Sequence, residues 1–201
     1  MMKDLFSRRS VALSGAIAAL ACGLAAAPAS AATAQSGNVD CSQPPLSQPF
    51  LSAGDANWYT LLAGQTTDDF NAGGWTLSGG AKLVSTRLAN GQLGRVLDLP
   101  SGATAVSPTM CVNNGYQAAR TYVRDIAGNA GVSVAVSYRG SGTAAVDQIN
   151  VAGTGWGRSA PFSVFPSDRS GWQHVTFTLT AAGTGSEYQI SNLWVDPRQM
   201  R

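Results

Sequence analysis

Residues that could carry out catalysis are few in this chain of 201 residues. His174 is the only histidine, and Glu187 is the only glutamate. A single histidine cannot build a multi-histidine metal site, and no Gly-x-Ser-x-Gly motif supplies a serine to pair with it in a hydrolytic triad. Glycoside hydrolysis needs two carboxyl groups that flank one bond, and the aspartates here are scattered along the sequence. We therefore predict that the protein is not an enzyme and keep a polysaccharide-active enzyme as an alternative.

Sugar binding is the other chemistry that these residue types offer. Aromatic rings stack on the faces of pyranoses, while a few polar side chains fix the orientation of the sugar. Trp156 lies in a loop whose glycines give it little local cover. The predicted ligand-binding residues are Trp156, Tyr138, which precedes another glycine-rich turn, and Arg120 and Arg124, which flank Tyr122 on one face of a strand. The alternatives are that Trp156 packs against a neighbouring strand and that the arginines form salt bridges.

The first 31 residues have the order of a secretory signal: basic residues, an apolar run over 11–27, and the small residues Ala29-Ser30-Ala31. We predict cleavage after Ala31 and a secreted protein without a membrane span, since the run is rich in alanine and broken by glycine. Arg8-Arg9 also fits a twin-arginine signal, so both export routes stay open. Cys22 lies within the apolar run and is discarded with it, with lipidation as the alternative.

The predicted mature chain carries no net charge. Removing residues 1–31 takes away three basic side chains and one acidic one, so the 13 Lys and Arg and the 11 Asp and Glu become ten of each. No basic cluster or stripe remains, which argues against nucleic-acid binding. Cys41 and Cys111 are then the remaining cysteines, and an even pair in an oxidising compartment predicts a disulfide that tethers the N-terminal arm.

Short β-like runs follow this arm, which covers residues 32–65 and is rich in small and polar residues. Apolar and polar residues alternate most clearly from Val132 to Tyr138 and from Val175 to Leu179. No segment past residue 31 carries the apolar stripe of an amphipathic helix. The pattern predicts an all-β domain over residues 66–201, a jelly-roll β-sandwich of eight to ten mostly antiparallel strands.

Several short segments occur in a recognisable order, among them Asp69-Phe70-Asn71, Gly74-Trp75, Trp172-Gln173-His174-Val175 and Ile190-Ser191-Asn192-Leu193-Trp194-Val195-Asp196. In this order they resemble galactose-binding-like jelly rolls of the carbohydrate-binding-module type, over roughly residues 66 to 197. With the Cys41 arm and Cys111, the chain is similar to a group of uncharacterised secreted bacterial proteins built on that fold. The resemblance implies a sandwich and implies no activity.

The same resemblance bears on metal binding, because such modules often hold a structural Ca²⁺ between the first of these segments and an acidic pair in the last strand. Phe70-Asn71 matches the first part, whereas Ser191-Asn192 stands where the acidic pair is usual. Calcium takes six to eight oxygen ligands. The resemblance therefore implies Asp69, Asn71 and Asp196 as candidate ligands, with solvated loop carboxylates as the alternative. No other cofactor is expected.

These inferences lead to an expectation about function. We expect a secreted, non-catalytic and monomeric binding module, most simply for extracellular polysaccharide or cell-envelope glycan. The alternative is a structural or protein-interaction domain of the cell envelope that binds no sugar, which the zero net charge and the absence of a catalytic set also fit. The most informative single observation on this question is whether Trp156, Tyr138 and Arg120 lie in one groove of the fold or apart.

Overall fold

A computed structural model describes residues 41–42, 44–150, 153–164 and 171–197. The predicted signal segment over residues 1–31, with Cys22 and the start of the arm, lies outside the described residues. Within the described part, no helix has the length and apolar character needed to cross a membrane.

The regular structure of the described residues consists of β-strands and of one 3₁₀ turn at Leu51–Ala53, which precedes the first strand. The strands are β1 (Thr60–Leu61), β2 (Gln65–Thr66), β3 (Asp69–Phe70), β4 (Thr76–Ser78), β5 (Lys82–Arg87), β6 (Leu93–Pro100), β7 (Thr104–Val106), β8 (Met110–Val112), β9 (Tyr116–Ala127), β10 (Val132–Tyr138), β11 (Gly142–Ile149), β12 (Gly157–Arg158), β13 (Phe162–Ser163), β14 (Gln173–Ala181) and β15 (Glu187–Pro197).

The strands form two sheets and one small hairpin, and every pairing is antiparallel. The seven-stranded sheet has the order β12-β9-β15-β6-β5, with β1 on β15 and β13 on β9. The six-stranded sheet has the order β11-β10-β14-β7-β4, with β8 on β14. The chain crosses repeatedly from one sheet to the other, for example between β9 and β10 and between β14 and β15. The predicted jelly-roll sandwich is confirmed. The strands outnumber the predicted eight to ten because several short edge strands join the main ones.

Period-two alternation determines which side chains fill the space between the sheets. Along β10 every second residue, from Val132 to Tyr138, is buried, and the residues between them are half-buried. Val136 lies opposite Phe177 of β14 in the ladder, and both side chains are fully buried. Phe177 also meets Phe162 edge to face across the core, with ring centroids 6.5 Å apart.

The arm covers part of the outer face of the seven-stranded sheet. Phe50, Tyr59 and Trp194 form a second buried cluster, apart from the main core. Leu193 and Val195 point into the main core, so Trp194 between them points outward. β1 extends this contact by pairing with β15, Thr60 opposite Val195. The predicted disulfide is present between Cys41 and Cys111, with Cα atoms 5.5 Å apart, and it fixes the arm to β8.

Candidate functional site

A cleft of about 370 Å³ lies on the outer face of the seven-stranded sheet, beside the arm. Three kinds of segment build it. The arm contributes Pro49 and Ser52, and the sheet contributes the floor. The rest of the wall comes from the loops around residues 67–68 and 88–90 and from the loop that carries Trp156. Clefts with an apolar surface and a few placed polar groups are the usual form of a small-ligand site.

Trp156 lines the cleft, and two contacts fix its indole ring: a hydrogen bond at the N–H edge and a cation–π contact on one ring face. Its loop leads directly into β12, where Gly157 pairs with Val123 of β9. This pairing brings the ring over the sheet, and its indole N–H donates a hydrogen bond of 2.6 Å to the carbonyl oxygen of Arg87. The guanidinium carbon of Arg124 lies 4.9 Å from the ring centroid, within the range of a cation–π contact.

A chain of hydrogen bonds holds Arg124 in this position. Its Nε and Nη2 both donate to Oε1 of Gln189, at 3.0 and 2.6 Å, and Nη2 also donates to Thr86 at 2.7 Å. Gln189 in turn donates from Nε2 to Asp98, a carboxylate that is only 1 % exposed. Arg124 does not line the cleft. It therefore supports Trp156 from outside the cleft, where the sequence predicted a ligand contact.

Tyr122 and Trp194 form the aromatic floor. Tyr122 shares a strand face with Arg120 and Arg124, and its ring packs 5.1 Å from that of Phe50 in the arm. Trp194 is almost fully buried beneath the same arm. Burial raises the pKa of the Tyr122 hydroxyl, against the opposing charge of Arg158, so the phenol stays neutral. Three aromatic side chains, Trp156, Tyr122 and Trp194, thus surround one cleft.

Another part of the cleft lining is polar. Asp68 accepts a hydrogen bond of 2.9 Å from the side-chain amide of Asn90, and Asn192 donates one of 2.7 Å to the carbonyl of Thr66. Gly94 of β6 allows this wall to form, since a Cβ there would lie 2.2 Å from the backbone oxygen of Asp68. A carboxylate offers about four acceptor positions. The exposed carboxylate of Asp68 can therefore also accept hydrogen bonds from a ligand hydroxyl.

Arg120 lies outside the cleft and anchors the arm instead. Its Nε lies 3.4 Å from Oδ2 of Asp55, and Arg158 approaches the same oxygen at 3.3 Å. The Tyr59 hydroxyl donates to this carboxylate at 2.8 Å and the Asn57 backbone N–H at 3.1 Å. Burial raises the pKa of Asp55, but these hydrogen bonds and the two arginines outweigh it and hold the pKa below its usual value.

We predict that Asp55→Asn lowers the free energy of unfolding by about 1.5 kcal/mol at pH 7, since charge-assisted hydrogen bonds are lost. The pKa of Asp55 is lowered in the folded state. Its contribution is therefore complete above the pKa of the unfolded chain and disappears as the pH falls through the folded value. Urea titrations at several pH values should show the difference from wild type beginning to shrink near pH 4 and vanishing only below the lowered pKa of folded Asp55.

Asp69→Asn is the matched control for this variant. Its carboxylate pairs with Arg95, whose side chain is 45 % exposed, so its removal should cost less than about 1 kcal/mol. An Asp55→Asn variant as stable as wild type at pH 7 would contradict the assigned anchor. So would a loss that persists unchanged at acidic pH.

Tyr138 does not reach the cleft. It belongs to β10 in the six-stranded sheet, and the alternation of that strand turns its ring into the core. The side chain is 7 % exposed, and its hydroxyl donates a hydrogen bond of 3.0 Å to the carbonyl of Val164. The glycine-rich turn that follows does not expose the ring, because alternate side chains of a β-strand point to opposite faces and Tyr138 is on the buried face of β10.

The predicted calcium ligands each have a protein partner of their own. Asp69 is bound by Arg95, and Oδ1 of Asn71 accepts a hydrogen bond of 2.8 Å from the Gly73 backbone N–H. Asp196 lies on β15, where the Asn57 amide donates to it at 3.4 Å. Within the described part of the chain, no group of three acidic, histidine or cysteine ligands includes Asp69 or Asp196.

Sequence reasoning missed most of the residues that line the cleft. Tyr122 carried a signal, because it shares the strand face of Arg120 and Arg124. Asp68 and Asn90 carried none, because they lie 22 positions apart in separate loops and meet through tertiary structure. Trp194 is buried against the arm rather than between the sheets.

A comparison with protein-family models gives no match, and a comparison with curated proteins gives none either.

Solved structures with related folds include both binding modules and parts of larger enzymes. An arabinose-bound α-L-arabinofuranosidase has a TM-score of 0.49 and 15 % identity over 71 % of this chain. The present chain spans only 27 % of that enzyme. A xylan-binding domain from Paenibacillus barcinonensis has a TM-score of 0.41 and 17 % identity, covering 63 % of this chain and 87 % of its own. A family 6 carbohydrate-binding module from Clostridium cellulolyticum, in complex with xylose, has a TM-score of 0.40 and 12 % identity, with coverages of 56 and 85 %.

Proposed function

We propose that this chain is an exported, non-catalytic module that binds a glycan of extracellular polysaccharide or of the cell envelope. The glycan occupies the cleft between Trp156 and Asp68. The observation that carries the proposal is the pairing of aromatic and polar walls around one open cleft of about 370 Å³.

The two walls match the two kinds of surface of a sugar. The C–H face of a pyranose is apolar and stacks on an aromatic ring, whereas its hydroxyls need hydrogen-bond partners. Trp156 supplies a ring that is held in place before binding, so little side-chain entropy is lost when the sugar stacks on it. Asp68 and Asn90 supply polar partners in the same cleft.

The chemistry of the cleft supports binding without turnover. Of the described residues that line it, Asp68 is the one with a carboxyl group, and none is a histidine or a cysteine. Glycoside hydrolysis uses two carboxyl groups at most about 10 Å apart. The described lining of the cleft therefore offers one carboxyl group where this reaction needs two.

The disulfide supports the proposed location outside the cytoplasm. The disulfide between Cys41 and Cys111 is of the kind that persists in oxidising compartments. Polysaccharides outside the cell share that compartment.

The charge of the cleft predicts which glycans bind. Asp68 is the one charged side chain among the described residues of the cleft lining, so neutral glycans should bind better than uronic-acid polymers, whose carboxylates Asp68 would repel.

Affinity electrophoresis on a panel of soluble neutral and uronic-acid polysaccharides tests this function. We expect retardation by at least one neutral polysaccharide, a change in tryptophan fluorescence on binding, and no release of new reducing ends. The proposal fails if no polysaccharide retards the protein and a pull-down from culture medium recovers a specific protein partner instead. That result would support the protein-interaction alternative.

A further inference from the structure

The disulfide that anchors the arm lies beside the only histidine of the chain. Cys111 is in β8 and His174 is in β14, and the two residues face each other directly in the antiparallel ladder. The Sγ atoms of Cys41 and Cys111 and a ring nitrogen of His174 all lie within 4.8 Å of one another. Cys111 is buried, whereas Cys41 and His174 are half-buried, so one side of this group opens toward solvent.

We propose that reduction of the Cys41–Cys111 disulfide creates a binding site for one divalent cation of the zinc class. Its ligands are the two thiolates and the imidazole of His174. Two sulfurs and one nitrogen are a donor set that zinc prefers, and three protein ligands leave the fourth tetrahedral position to water. The half-buried Cys41 and His174 leave room for that water at the solvent side.

The redox step balances with a dithiol as the reductant. The dithiol gives two electrons and two protons to the disulfide, which becomes two thiols, while the dithiol itself becomes a cyclic disulfide. The cation then replaces the two thiol protons, which pass to solvent, and forms two metal–sulfur bonds and one bond to a neutral imidazole nitrogen.

The positions of the ligands fit this geometry after a small movement. Zinc–sulfur bonds of about 2.3 Å at tetrahedral angles place the two sulfurs about 3.8 Å apart. The ladder between β8 and β14 holds Cys111 and His174 in place. Cys41 belongs to no strand, so its segment can supply the separation once the disulfide is open. The bound cation would then anchor the arm at the same point as the disulfide.

The test is a titration of the reduced full-length chain with Co²⁺ and then Zn²⁺, after the dithiol has been removed without oxygen. We expect one cobalt per chain, a thiolate-to-cobalt charge-transfer band, and displacement by zinc. Oxidised protein should bind neither ion at this site. Zinc should also raise the melting temperature of the reduced protein and leave that of the oxidised protein unchanged.

Variants assign the ligands. His174→Ala should weaken binding of zinc by at least about tenfold, because a ligand is lost. Thr176→Ala, two residues further along the same face of β14, is the matched control and should bind like wild type. The double variant Cys41→Ser, Cys111→Ser should give no charge-transfer band.

Three results would overturn the proposal. The first is that the reduced wild type binds no cobalt, and the second is that His174→Ala binds as tightly as wild type. The third is that the reduced protein shows no cooperative thermal unfolding, because the fold that holds the three ligands close together is then absent. None of these results bears on glycan binding, which is measured on the oxidised protein.

Discussion

Trp156→Ala is expected to weaken glycan binding by roughly thirtyfold or more, because a central aromatic contact is typically worth about 2 kcal/mol or more. The ring stands between the cleft and Arg124, so its removal takes away the stacking surface and leaves the guanidinium without its aromatic partner. Trp156→Phe keeps a ring but loses the N–H that bonds to Arg87, and we expect an intermediate loss. Isothermal titration with the best polysaccharide of the panel measures both.

Trp58→Ala is the matched control for this prediction. The Trp58 side chain is 49 % exposed, but it does not line the cleft, so the variant should bind like wild type. Both variants should melt close to the wild-type temperature, since neither ring belongs to the main core. Equal affinity of Trp156→Ala and wild type would remove the cleft as the binding site. Equal losses in the two tryptophan variants would do the same.

Loss of the Cys41–Cys111 disulfide should give the largest change in stability. The bond closes a long loop, with a sequence separation of 70. The disulfide lowers the conformational entropy of the unfolded chain, which should raise the free energy of unfolding by roughly 4 kcal/mol. Removing a native disulfide typically lowers the free energy of unfolding by about 2 to 5 kcal/mol. For a domain of this size, this corresponds to a drop in melting temperature on the order of ten degrees.

In the folded state, the structural change caused by reduction should be confined to the arm. Cys41 lies in no strand, and the main core is formed by residues from both sheets without it. The β spectrum should therefore persist in the reduced protein below its melting temperature. Thiol titration and thermal melts of oxidised, reduced and Cys41→Ser, Cys111→Ser protein test this. Two titratable thiols in natively secreted protein would refute the disulfide, and unchanged melting after reduction would refute its assigned role.

Strand prediction succeeded where the sequence carries a long local period. The segment from Val132 to Tyr138 was predicted with the bounds that β10 has, because seven alternating residues define both the strand and its buried face. β1 and β12 were not predicted, since a strand of two residues has no period to detect. Such strands form because a long neighbour, β15 or β9, presents an edge with which they can pair.

Of the four residues predicted to bind a ligand, the structure places one, Trp156, in the lining of the cleft. Trp156 was predicted from its glycine-rich loop, and the structure places it in the cleft with Arg124 behind it. Arg120 carries the same charge on the same strand face, yet it binds Asp55 of the arm. Sequence could not separate the two arginines, because the difference lies in which distant segment covers each end of β9.

The sequence by itself determined the β class of the domain, the faces that β10 and β14 bury, and the pairing of Cys41 with Cys111. These properties depend on local alternation and on the count of cysteines that remain after residue 31. The tertiary structure alone decided that the arm lies on the outer face of one sheet, that Asp68 and Asn90 line one cleft with Trp156, and that His174 lies beside the disulfide. These contacts join residues far apart in sequence. The free energy of these contacts depends on which surfaces remain exposed after the two sheets have packed. The local alternation of apolar and polar residues carries no information about those surfaces.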